Sequence, residues 1–494
     1  MHRDLAAAAA PRGDDAAPAL PDADGITLVC DLDCTLIRTD MLYETFWAAV
    51  SANWSAPLPA LRALMRGRAA LKAHLAGAGE VAVADLPYED EVIDRVRDWR
   101  ARGGRTALVT GADQSIAERV AAHLGIFDEV HGSDGSRNLK GPAKAAFLEQ
   151  RFGRRFAYIG DSRADLAVWE IAAEAITVNA SGDLRRAAEA RAPQTAHMGQ
   201  PGPILKPALK AMRPHQWAKN VLIFLPVLAG HALSLATLTQ AVLAFAAFSL
   251  VASSVYVLND LLDLAADRAH PRKRFRPFAS GALPLRHGTW MAPALLLAGV
   301  AIAALLGPAF LAVMAGYYLT TTAYSLWLKR QPVIDICTLA VLYAVRIAAG
   351  GAATGIELSV WLLAFSIFFF FSLAAVKRQA ELVDGLASGR DKAAGRGYGV
   401  DDLPLVAMMA TASGYVSVMV MALYVNSPAV TALYTAPEML WGICGVLLYW
   451  LSRMVFITHR GQMHDDPVVF AARDRVSRVL FVVILGFFTA GSLL

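Results

Sequence analysis

Repeated apolar runs in the second half of the sequence constrain its fold more than any other feature. They fall near residues 218–234, 238–258, 288–306, 308–327, 333–350, 359–376, 404–424, 433–452 and 476–494. Runs of about 17–21 apolar residues are long enough to cross the hydrocarbon core of a bilayer as helices. The runs therefore predict an all-α, polytopic membrane domain of about nine transmembrane helices.

Basic residues occur in alternate connections between these runs. The connections near 231–237, 307, 351–358 and 425–432 contain no Lys or Arg, whereas the other connections contain several. The positive-inside rule places basic loops on the cytoplasmic side of a membrane. We therefore predict that the basic loops and the N-terminal region are cytoplasmic.

The residues before these runs have a different composition. Over the whole chain 56% of residues are hydrophobic and 18% are charged, which suits neither a single soluble domain nor a wholly embedded protein. The four cysteines lack the spacing of a metal site or a disulfide framework. We predict a disordered tail over 1–24, a soluble domain over 25–190, a linker over 191–204 and a membrane domain over 205–494.

Polar residues follow the apolar strands of the soluble region. "ITLVCDLDCTL" predicts a buried strand that runs into Asp31 and Asp33, and "FAYIGDSRADLAVW" predicts one that ends at Asp161. Between them, "GRTALVTGA" predicts a strand that ends at Thr110, and "NLKG" supplies Lys140. Strands that alternate with helices predict a doubly wound α/β domain, in which ligands bind at the C-terminal ends of the strands.

These four motifs, in this order, resemble the haloacid dehalogenase (HAD) superfamily of phosphatases. The resemblance implies that Asp31 is the nucleophile and Asp33 the general acid/base. It also implies that Thr110 and Lys140 hold the phosphoryl group, and that a helical cap lies within about 39–100. The implied ligands of Mg²⁺, which prefers oxygen donors, are Asp31, Asp33, Asp161 and Asp165. A catalytically idle domain of the same fold is the alternative.

The second apolar run ends in carboxylates that are followed by cations. In "NDLLDLAADRAHPRKRFRP", Asp260, Asp263 and Asp267 fall within an arc of about 60° on a continuous helix, with Asn259 at its edge. Three unpaired carboxylates on one face would repel one another, which predicts bound Mg²⁺ and a diphosphate substrate. The cations predicted to contact further phosphates are Lys273, Arg274 and Arg276.

A second polar segment ends the sixth apolar run. In "KRQAELVDG", Lys377, Glu381 and Asp384 also fall within about 60° on a helix, next to Arg378. Because both polar segments lie on the same predicted side of the membrane, we expect them to form opposing walls of one pocket that is open to the cytoplasm.

Arg346 lies inside an apolar run, where an arginine is costly and faces a cavity or a partner. We expect it in the pocket, and a structural pair with Asp335 is the alternative.

The two polar segments resemble the UbiA family of intramembrane prenyltransferases, which ionise an allylic diphosphate with Mg²⁺. "NDxxDxxxD" resembles the first motif of that family, and "YSLWLKRQPVID", with Tyr324 and Lys329, also resembles its members. The second motif departs from the usual pair of aspartates, because "KRQAELVD" carries two cations. Five cations around the acidic motifs suggest a donor that has a second phosphate.

The extra cations narrow the resemblance to the branch of decaprenyl-phosphate 5-phosphoribosyltransferases. This resemblance implies Mg²⁺-dependent transfer of phosphoribose from phosphoribosyl pyrophosphate to a polyprenyl phosphate, with Asp260 and Asp263 as catalytic residues. It implies a bacterial inner (plasma) membrane and no nucleic-acid partner, and it leaves a homo-oligomer open. We further expect the HAD-like domain to remove the 5-phosphate of the product.

Other interpretations of the same residues stay open. A prenyltransferase that acts on an aromatic or other small acceptor is the alternative function, and a non-catalytic scaffold or transporter is a third. The basic loop residues are also typical of topology signals beside lipid headgroups. Lys219 and Lys329, both candidates for substrate binding, are also placed where lysines snorkel to the membrane surface.

Overall fold

The computed structural model describes residues 25–134, 137–389, 396–431, 434–463 and 466–493, the side chains of 429 and 493 excepted. The predicted tail over 1–24 lies outside these residues. The chain divides into two compact units. The first unit comprises residues up to Ala211 together with Asp260–Thr289, and the second comprises Met212–Asn259 and the residues from Trp290 onwards.

A parallel sheet forms the core of the first unit. Its strands are β1 (Thr27–Cys30), β2 (Arg105–Asp113), β3 (Glu129–Ser133), β4 (Phe156–Gly160), β5 (Glu174–Val178) and β6 (Thr195–Met198). They lie in the order β3-β2-β1-β4-β5-β6, and all the pairings are parallel. β1, β4 and β5 are buried along their whole length, as expected for strands that helices cover on both faces. The predicted doubly wound fold is confirmed.

Helices pack on both faces of this sheet. Leu28 and Cys30 belong to one apolar cluster and Val29 to another, because successive residues of a strand point to opposite faces. The helices are α1 (Met41–Ala52), α2 (Pro57–Met65), α3 (Arg68–Ala78), α4 (Asp90–Ala101), α5 (Gln114–Leu124), α6 (Pro142–Phe152), α7 (Leu166–Trp169), α8 (Gly182–Glu189) and α9 (Leu205–Met212). α1, α2 and α3 form the predicted helical cap, with a small apolar cluster of their own around Ala49, Ala60 and Leu75.

The predicted linker over 191–204 begins too early. Its residues Thr195–Met198 form β6, which pairs in parallel with β5 from Ala175↔Thr195 to Val178↔Met198. Strands at the edge of a sheet are often short and only partly covered. The segment "QTAHMG" therefore lacks the apolar run by which β1 and β4 can be predicted from the sequence.

The rest of the chain is helical. The helices are α10 (Leu225–Ala229), α11 (Leu235–Leu262), α12 (Leu264–Ala269), α13 (Leu285–Leu305), α14 (Pro308–Leu326), α15 (Ile334–Thr354), α16 (Val360–Ala387), α17 (Leu403–Val425), α18 (Pro428–Thr431), α19 (Trp441–His459), α20 (Pro467–Arg473) and α21 (Arg475–Leu493). Within the described residues, seven helices are long and apolar enough to cross a membrane, namely α11, α13, α15, α16, α17, α19 and α21. The all-α polytopic architecture is confirmed, and the number of about nine spans stays a prediction.

Two of the nine predicted runs explain the difference. The run at 218–234 is not one helix, because Pro214–Phe224 are in 3₁₀ conformation and α10 ends at Ala229. Pro226 has no backbone N–H to donate, so it is accommodated only in the first turn of α10. The run at 308–327 does form α14, but its second half carries tyrosines and threonines, and the helix is not among the seven that are apolar enough to cross a membrane.

Candidate functional sites

Three carboxylates cluster at the C-terminal edge of the sheet. Asp31 follows β1 and Asp161 follows β4, the adjacent strands at which the strand order reverses. Oxygen atoms of Asp31, Asp161 and Asp165 lie within 4.8 Å of one another. Burial raises the pKa of Asp161 well above its ordinary value, and repulsion from Asp165 and Asp31 raises it further. A cluster of three carboxylates this close together suits a hard divalent cation.

Asp33 does not belong to this cluster. Its Oδ1 accepts a hydrogen bond from the Met41 backbone N–H at 2.7 Å, at the start of α1. Burial, and then the charges of Asp40 and Asp31, raise the pKa of Asp33 to about 7. A carboxyl group with this pKa exchanges a proton near neutral pH. The position fits an acid/base better than the metal ligand that the sequence also predicted.

The cation beside Asp31 is Lys144 rather than the predicted Lys140. Lys144 Nζ lies 2.9 Å from Asp31 Oδ2 and donates to the Tyr158 hydroxyl at 2.7 Å. Burial lowers the pKa of Lys144, but the neighbouring carboxylates, Asp31 first and then Asp165, together outweigh burial, so that the net shift is upwards. Lys140 is exposed in the loop before α6. Lys144 lies four residues later in an ordinary helix pattern, and nothing in that pattern distinguishes it as a site residue.

Thr110, the remaining predicted contact of the phosphoryl group, is buried in β2. Its Oγ1 accepts a hydrogen bond from the Ala112 backbone N–H at 3.0 Å. β2 is the neighbour of β1 in the sheet. Thr110 therefore lies towards the same edge of the sheet as Asp31.

The three carboxylates of the acidic motif do not share one helical face. α11 ends at Leu262, and Asp263 is an exposed residue between α11 and α12. Asp260 and Asp267 are each only 2% exposed, and both accept hydrogen bonds from Arg276 Nη1, at 3.1 and 2.6 Å. The prediction of a continuous acidic helix is wrong, because the helix breaks at the middle aspartate. Arg276 lies against these two acids, whereas we expected it to be available for a phosphate.

The other two cations of this loop lie in a different environment. Lys273 and Arg274 are exposed in the 3₁₀ turn Lys273–Phe275. Neither lines the cavities described below. Their predicted contact with substrate phosphates stays a prediction.

A cavity of about 300 Å³ in the second unit is lined by several cations and tyrosines. Within the described residues, its one carboxylate is Asp466. Asn259, the first residue of the acidic motif, also lines it and donates to Ser325 Oγ at 3.0 Å. The cations that line it are Arg213, Lys219, Arg346, Lys377 and Arg396, and the tyrosines are Tyr256, Tyr317, Tyr324 and Tyr343. The excess of positive charge suits an anionic ligand.

Asp466 holds two of these cations in place. Its Oδ2 lies 3.0 Å from both Lys219 Nζ and Lys377 Nζ, while its Oδ1 accepts from the Val468 backbone N–H at the start of α20. Burial raises the pKa of Asp466, but the two lysines outweigh that effect and hold it well below its ordinary value. Asp466 was not predicted from the sequence. An aspartate before a proline at a helix start predicts a cap and carries no sign of a site.

Arg346 lines the same cavity, as predicted. Its Nε donates to Asn220 Oδ1 at 2.8 Å, and its guanidinium lies over the rings of Tyr317 and Tyr343, at 5.1 and 5.7 Å from their centroids. The alternative pairing with Asp335 is not found. Asp335 instead binds Arg378 and Arg396.

The polar segment at the end of α16 divides between two environments. Lys377 lines the cavity, whereas Arg378 is 1% exposed and pairs with Asp335 and Glu381. Glu381 and Asp384 do not line the cavity, and Asp384 is exposed. The prediction of one wall made of Lys377, Glu381 and Asp384 is therefore wrong for its two acids. The helix carries these side chains, but neighbouring arginines draw Glu381 into a separate ion-pair network.

Tyr324 joins that network to the cavity. Its hydroxyl donates to Asp335 Oδ1 at 2.8 Å and accepts from Arg396 Nη1 at 2.7 Å, while the residue lines the cavity. Lys329 is half-buried in the 3₁₀ turn Leu328–Arg330 and does not line the cavity. Of this pair of predicted residues, only Tyr324 is therefore at the site.

Residues 221–485, more than half of the chain, match the UbiA prenyltransferase family. The chain belongs to this family. Residues 28–170 match the haloacid dehalogenase-like hydrolases. Both resemblances noted in the sequence are confirmed, and the protein is an enzyme that joins a UbiA-family transferase domain to a HAD-like hydrolase domain.

Three relatives show how far these similarities extend. The uncharacterised protein y4nM of Sinorhizobium fredii is 39% identical, with 92% of this chain and 88% of the relative covered. Nodulation protein NoeC of Azorhizobium caulinodans is 40% identical over 55% of this chain and 88% of its own length. Decaprenyl-phosphate phosphoribosyltransferase of Mycobacterium tuberculosis is 40% identical over 37% of this chain and 62% of its own length.

Proposed function

We propose that the UbiA domain transfers 5-phosphoribose from phosphoribosyl pyrophosphate to a polyprenyl phosphate, and that the HAD-like domain then removes the 5-phosphate of the product. The observation that carries the transferase proposal is the cavity with five cations and a single carboxylate. That carboxylate carries one negative charge against two lysines, so the lining of the cavity keeps a net positive charge even though Arg396 also pairs with Asp335. The name of the mycobacterial relative, a decaprenyl-phosphate phosphoribosyltransferase, supports the same transferred group and the same class of acceptor.

The charge of the cavity favours this donor over a prenyl diphosphate. A prenyl diphosphate has one anionic end and an apolar tail, whereas phosphoribosyl pyrophosphate carries phosphate at both ends of a polar sugar. A wall of tyrosines and cations offers ring faces and N–H donors to such a sugar phosphate. A volume of about 300 Å³ is also suitable for a small polar ligand.

The acidic motif has the donor set of a divalent cation site. Asp260 and Asp267 are buried, and both bind the guanidinium of Arg276. In the proposed reaction Asp260, Asp263 and Asp267 would hold Mg²⁺, which supplies Lewis-acid neutralisation of the leaving diphosphate. Asn259, the first residue of this motif, lines the cavity.

In the proposed reaction the residues of the cavity bind and orient the donor, and no strong base is needed. The acceptor phosphate is already an anion, so its oxygen can attack the anomeric carbon without losing a proton to the protein. The bond between that carbon and the diphosphate breaks as the new C–O bond forms. Arg346 and the lysines held by Asp466 are the groups placed to fix the donor phosphates.

The hydrolase site has the groups that an aspartyl-phosphate mechanism requires. An Asp31 oxygen would attack the 5-phosphate, and Asp33 would give its proton to the departing ribose oxygen. Water would then cleave the aspartyl-phosphate, with Asp33 taking up a proton. Lys144, 2.9 Å from Asp31, is placed to neutralise the phosphoryl oxygens, and the Asp31, Asp161 and Asp165 cluster would hold Mg²⁺, which neutralises the same oxygens.

The direct test supplies two labelled donors to the same membranes. We expect radiolabelled phosphoribosyl pyrophosphate, given with polyprenyl phosphate and Mg²⁺, to label the lipid fraction. A labelled prenyl diphosphate with aromatic acceptors should give no product. Labelling from the prenyl donor alone would establish the prenyltransferase alternative instead. Asp260→Asn, assayed in parallel, should abolish the labelling.

A further inference from the structure

The loop between α11 and α13, residues 263–284, lies within the sequence matched to the UbiA family but groups structurally with the hydrolase fold. Arg268 makes a two-pronged ion pair with Glu44 of the cap helix α1, at 3.0 and 2.6 Å, and both side chains are almost fully buried. Near the start of α13, Thr289 Oγ1 accepts a hydrogen bond from Trp47 Nε1 at 3.0 Å. The loop is thus anchored at both ends to the cap of the hydrolase.

Gly281 brings this loop close to the hydrolase backbone. Its φ of +73° lies in the left-handed region, and a Cβ there would lie 2.5 Å from Arg38 Cβ and 2.9 Å from the Arg38 carbonyl oxygen. Arg38 belongs to the segment that follows the nucleophile. The close approach therefore fixes residues 281–286 beside the entrance to the hydrolase site.

A cavity of about 520 Å³ lies at this entrance. Asp161 of the carboxylate cluster lines this cavity, and so does Cys34. The residues of the transferase sequence that also line it are Gly281, Ala282, Pro284, Leu285 and Arg286. The cavity therefore reaches the hydrolase site at Asp161 and is lined in part by the transferase sequence.

Arg286 stands out among the charged groups of this cavity. The other cation, Arg38, is held by Glu89 at 3.0 and 2.8 Å, and Asp40 caps α1 through the Leu42 N–H. No ion pair joins Arg286 to any residue that the structure describes. It lies in the first turn of α13, where the helix dipole disfavours a cation, so helix stability does not explain its position.

We infer that Arg286 is a specificity residue of the hydrolase, which binds a second anionic group on a phosphomonoester substrate. The nucleophile and Lys144 would engage the phosphate that is cleaved, while Arg286, which lines the same cavity as Asp161, would bind a phosphate elsewhere on the same molecule. This inference rests on the phosphatase half of the proposed function. A sugar that carries one terminal phosphate and a second phosphate on its anomeric oxygen has the required chemistry, and this is also the headgroup that the proposed transfer creates.

The test compares two soluble sugars that differ only in the second anion. Ribose 1,5-bisphosphate and ribose 5-phosphate are supplied with Mg²⁺ to the full-length wild type, and phosphate release is measured for each. We expect a higher kcat/KM for the bisphosphate in the wild type. Arg286→Gln should reduce that preference by about tenfold, the worth of one charge-assisted contact of about 1.4 kcal/mol, and Arg286→Lys should restore part of it.

A matched control separates recognition from loop charge. Arg272 is an exposed cation of the same loop that does not line the cavity, so Arg272→Gln removes the same charge and should leave the preference unchanged. Binding of the bisphosphate to Asp31→Asn and to Asp31→Asn/Arg286→Gln, measured by calorimetry, should show the same tenfold difference.

The outcomes distinguish the inference from its premise. Equal preference in wild type and Arg286→Gln, with normal phosphate release, overturns the role of Arg286 and leaves the phosphatase proposal intact. A loss of preference in Arg272→Gln as large as in Arg286→Gln also overturns it, because the effect is then general electrostatics. Release of phosphate from neither sugar by the wild type, with no binding to Asp31→Asn, removes the phosphatase proposal and the inference together.

Discussion

At the scale of single residues, charge pairing decides which of several similar side chains is at a site. Lys140 and Lys144 are four residues apart, Lys140 in the loop before α6 and Lys144 in the helix, and only Lys144 is buried against Asp31. Arg274 and Arg276 differ in the same way, because Arg276 alone reaches the buried acids Asp260 and Asp267. The sequence shows which cations are present. The fold of the backbone determines which of them contacts a carboxylate.

The first prediction concerns the two lysines. Lys144→Ala should reduce the kcat of phosphate release by about 100-fold or more, because it removes the charge that stabilises the phosphoryl oxygens. Lys140→Ala, the matched control, should lose much less, because Lys140 is exposed. Steady-state assays of both purified variants decide between them. A larger loss in Lys140→Ala would show that the position predicted from the sequence is the functional one.

The second prediction concerns Arg276. Without Mg²⁺, Arg276→Ala leaves Asp260 and Asp267 buried without their cation, and breaking a buried ion pair costs about 3–5 kcal/mol. We expect a lower apparent melting temperature in metal-free buffer and partial recovery on adding Mg²⁺, since a ligand that binds the folded state stabilises it. Arg274→Ala should change neither value, because Arg274 is exposed. Melting curves for Arg276→Ala that match those of wild type in both buffers would count against a cation site at these acids.

At the scale of elements, strands and helices with a regular residue pattern can be predicted from the sequence, whereas interruptions of that pattern cannot. β1 and β4 are continuous apolar runs followed by aspartates, so the sheet and its C-terminal site could be predicted from composition and order. The break of α11 at Asp263 could not, because "NDLLDLAAD" keeps a helical pattern across it. The start of β6 at Thr195 could not either, because it depends on pairing with β5. Asp466 was missed for the same reason, since Lys219 and Lys377 come from far away in the sequence.

The third prediction tests the loop at Gly281. Gly281→Ala combines a left-handed backbone, at φ +73°, with a clash against Arg38. Gly103→Ala is the matched control, because its φ is +83° and nothing lies within 4 Å of an added Cβ. The control should lose about 1–2 kcal/mol from backbone strain alone, and Gly281→Ala should lose roughly 1–3 kcal/mol more from the clash. Equal destabilisation of the two variants in thermal unfolding would contradict the close packing of the loop.

At the scale of the whole molecule, the chain joins a transferase domain to a hydrolase domain, and in the proposed function both act on one lipid headgroup. In the proposed sequence of reactions, the UbiA domain forms a lipid-linked 5-phosphoribose and the HAD-like domain removes its phosphate. Because the two domains share one polypeptide, the second site meets the product at an effective concentration well above that of a free enzyme. Removal of the phosphate also draws the transfer forward. A cytoplasmic location of both sites, expected from the basic loops, is part of this proposal.

The central claim is tested most directly by mass spectrometry of the lipids made by wild type and Asp31→Asn from phosphoribosyl pyrophosphate, polyprenyl phosphate and Mg²⁺. Asp31→Asn removes the hydrolase nucleophile with little change in shape. We predict that wild type yields polyprenyl-phosphoryl ribose and free phosphate, whereas Asp31→Asn accumulates the lipid that still carries the 5-phosphate. Identical product ratios in the two enzymes would contradict the coupling of the two sites, and the absence of any ribosylated lipid from either would contradict the transfer itself.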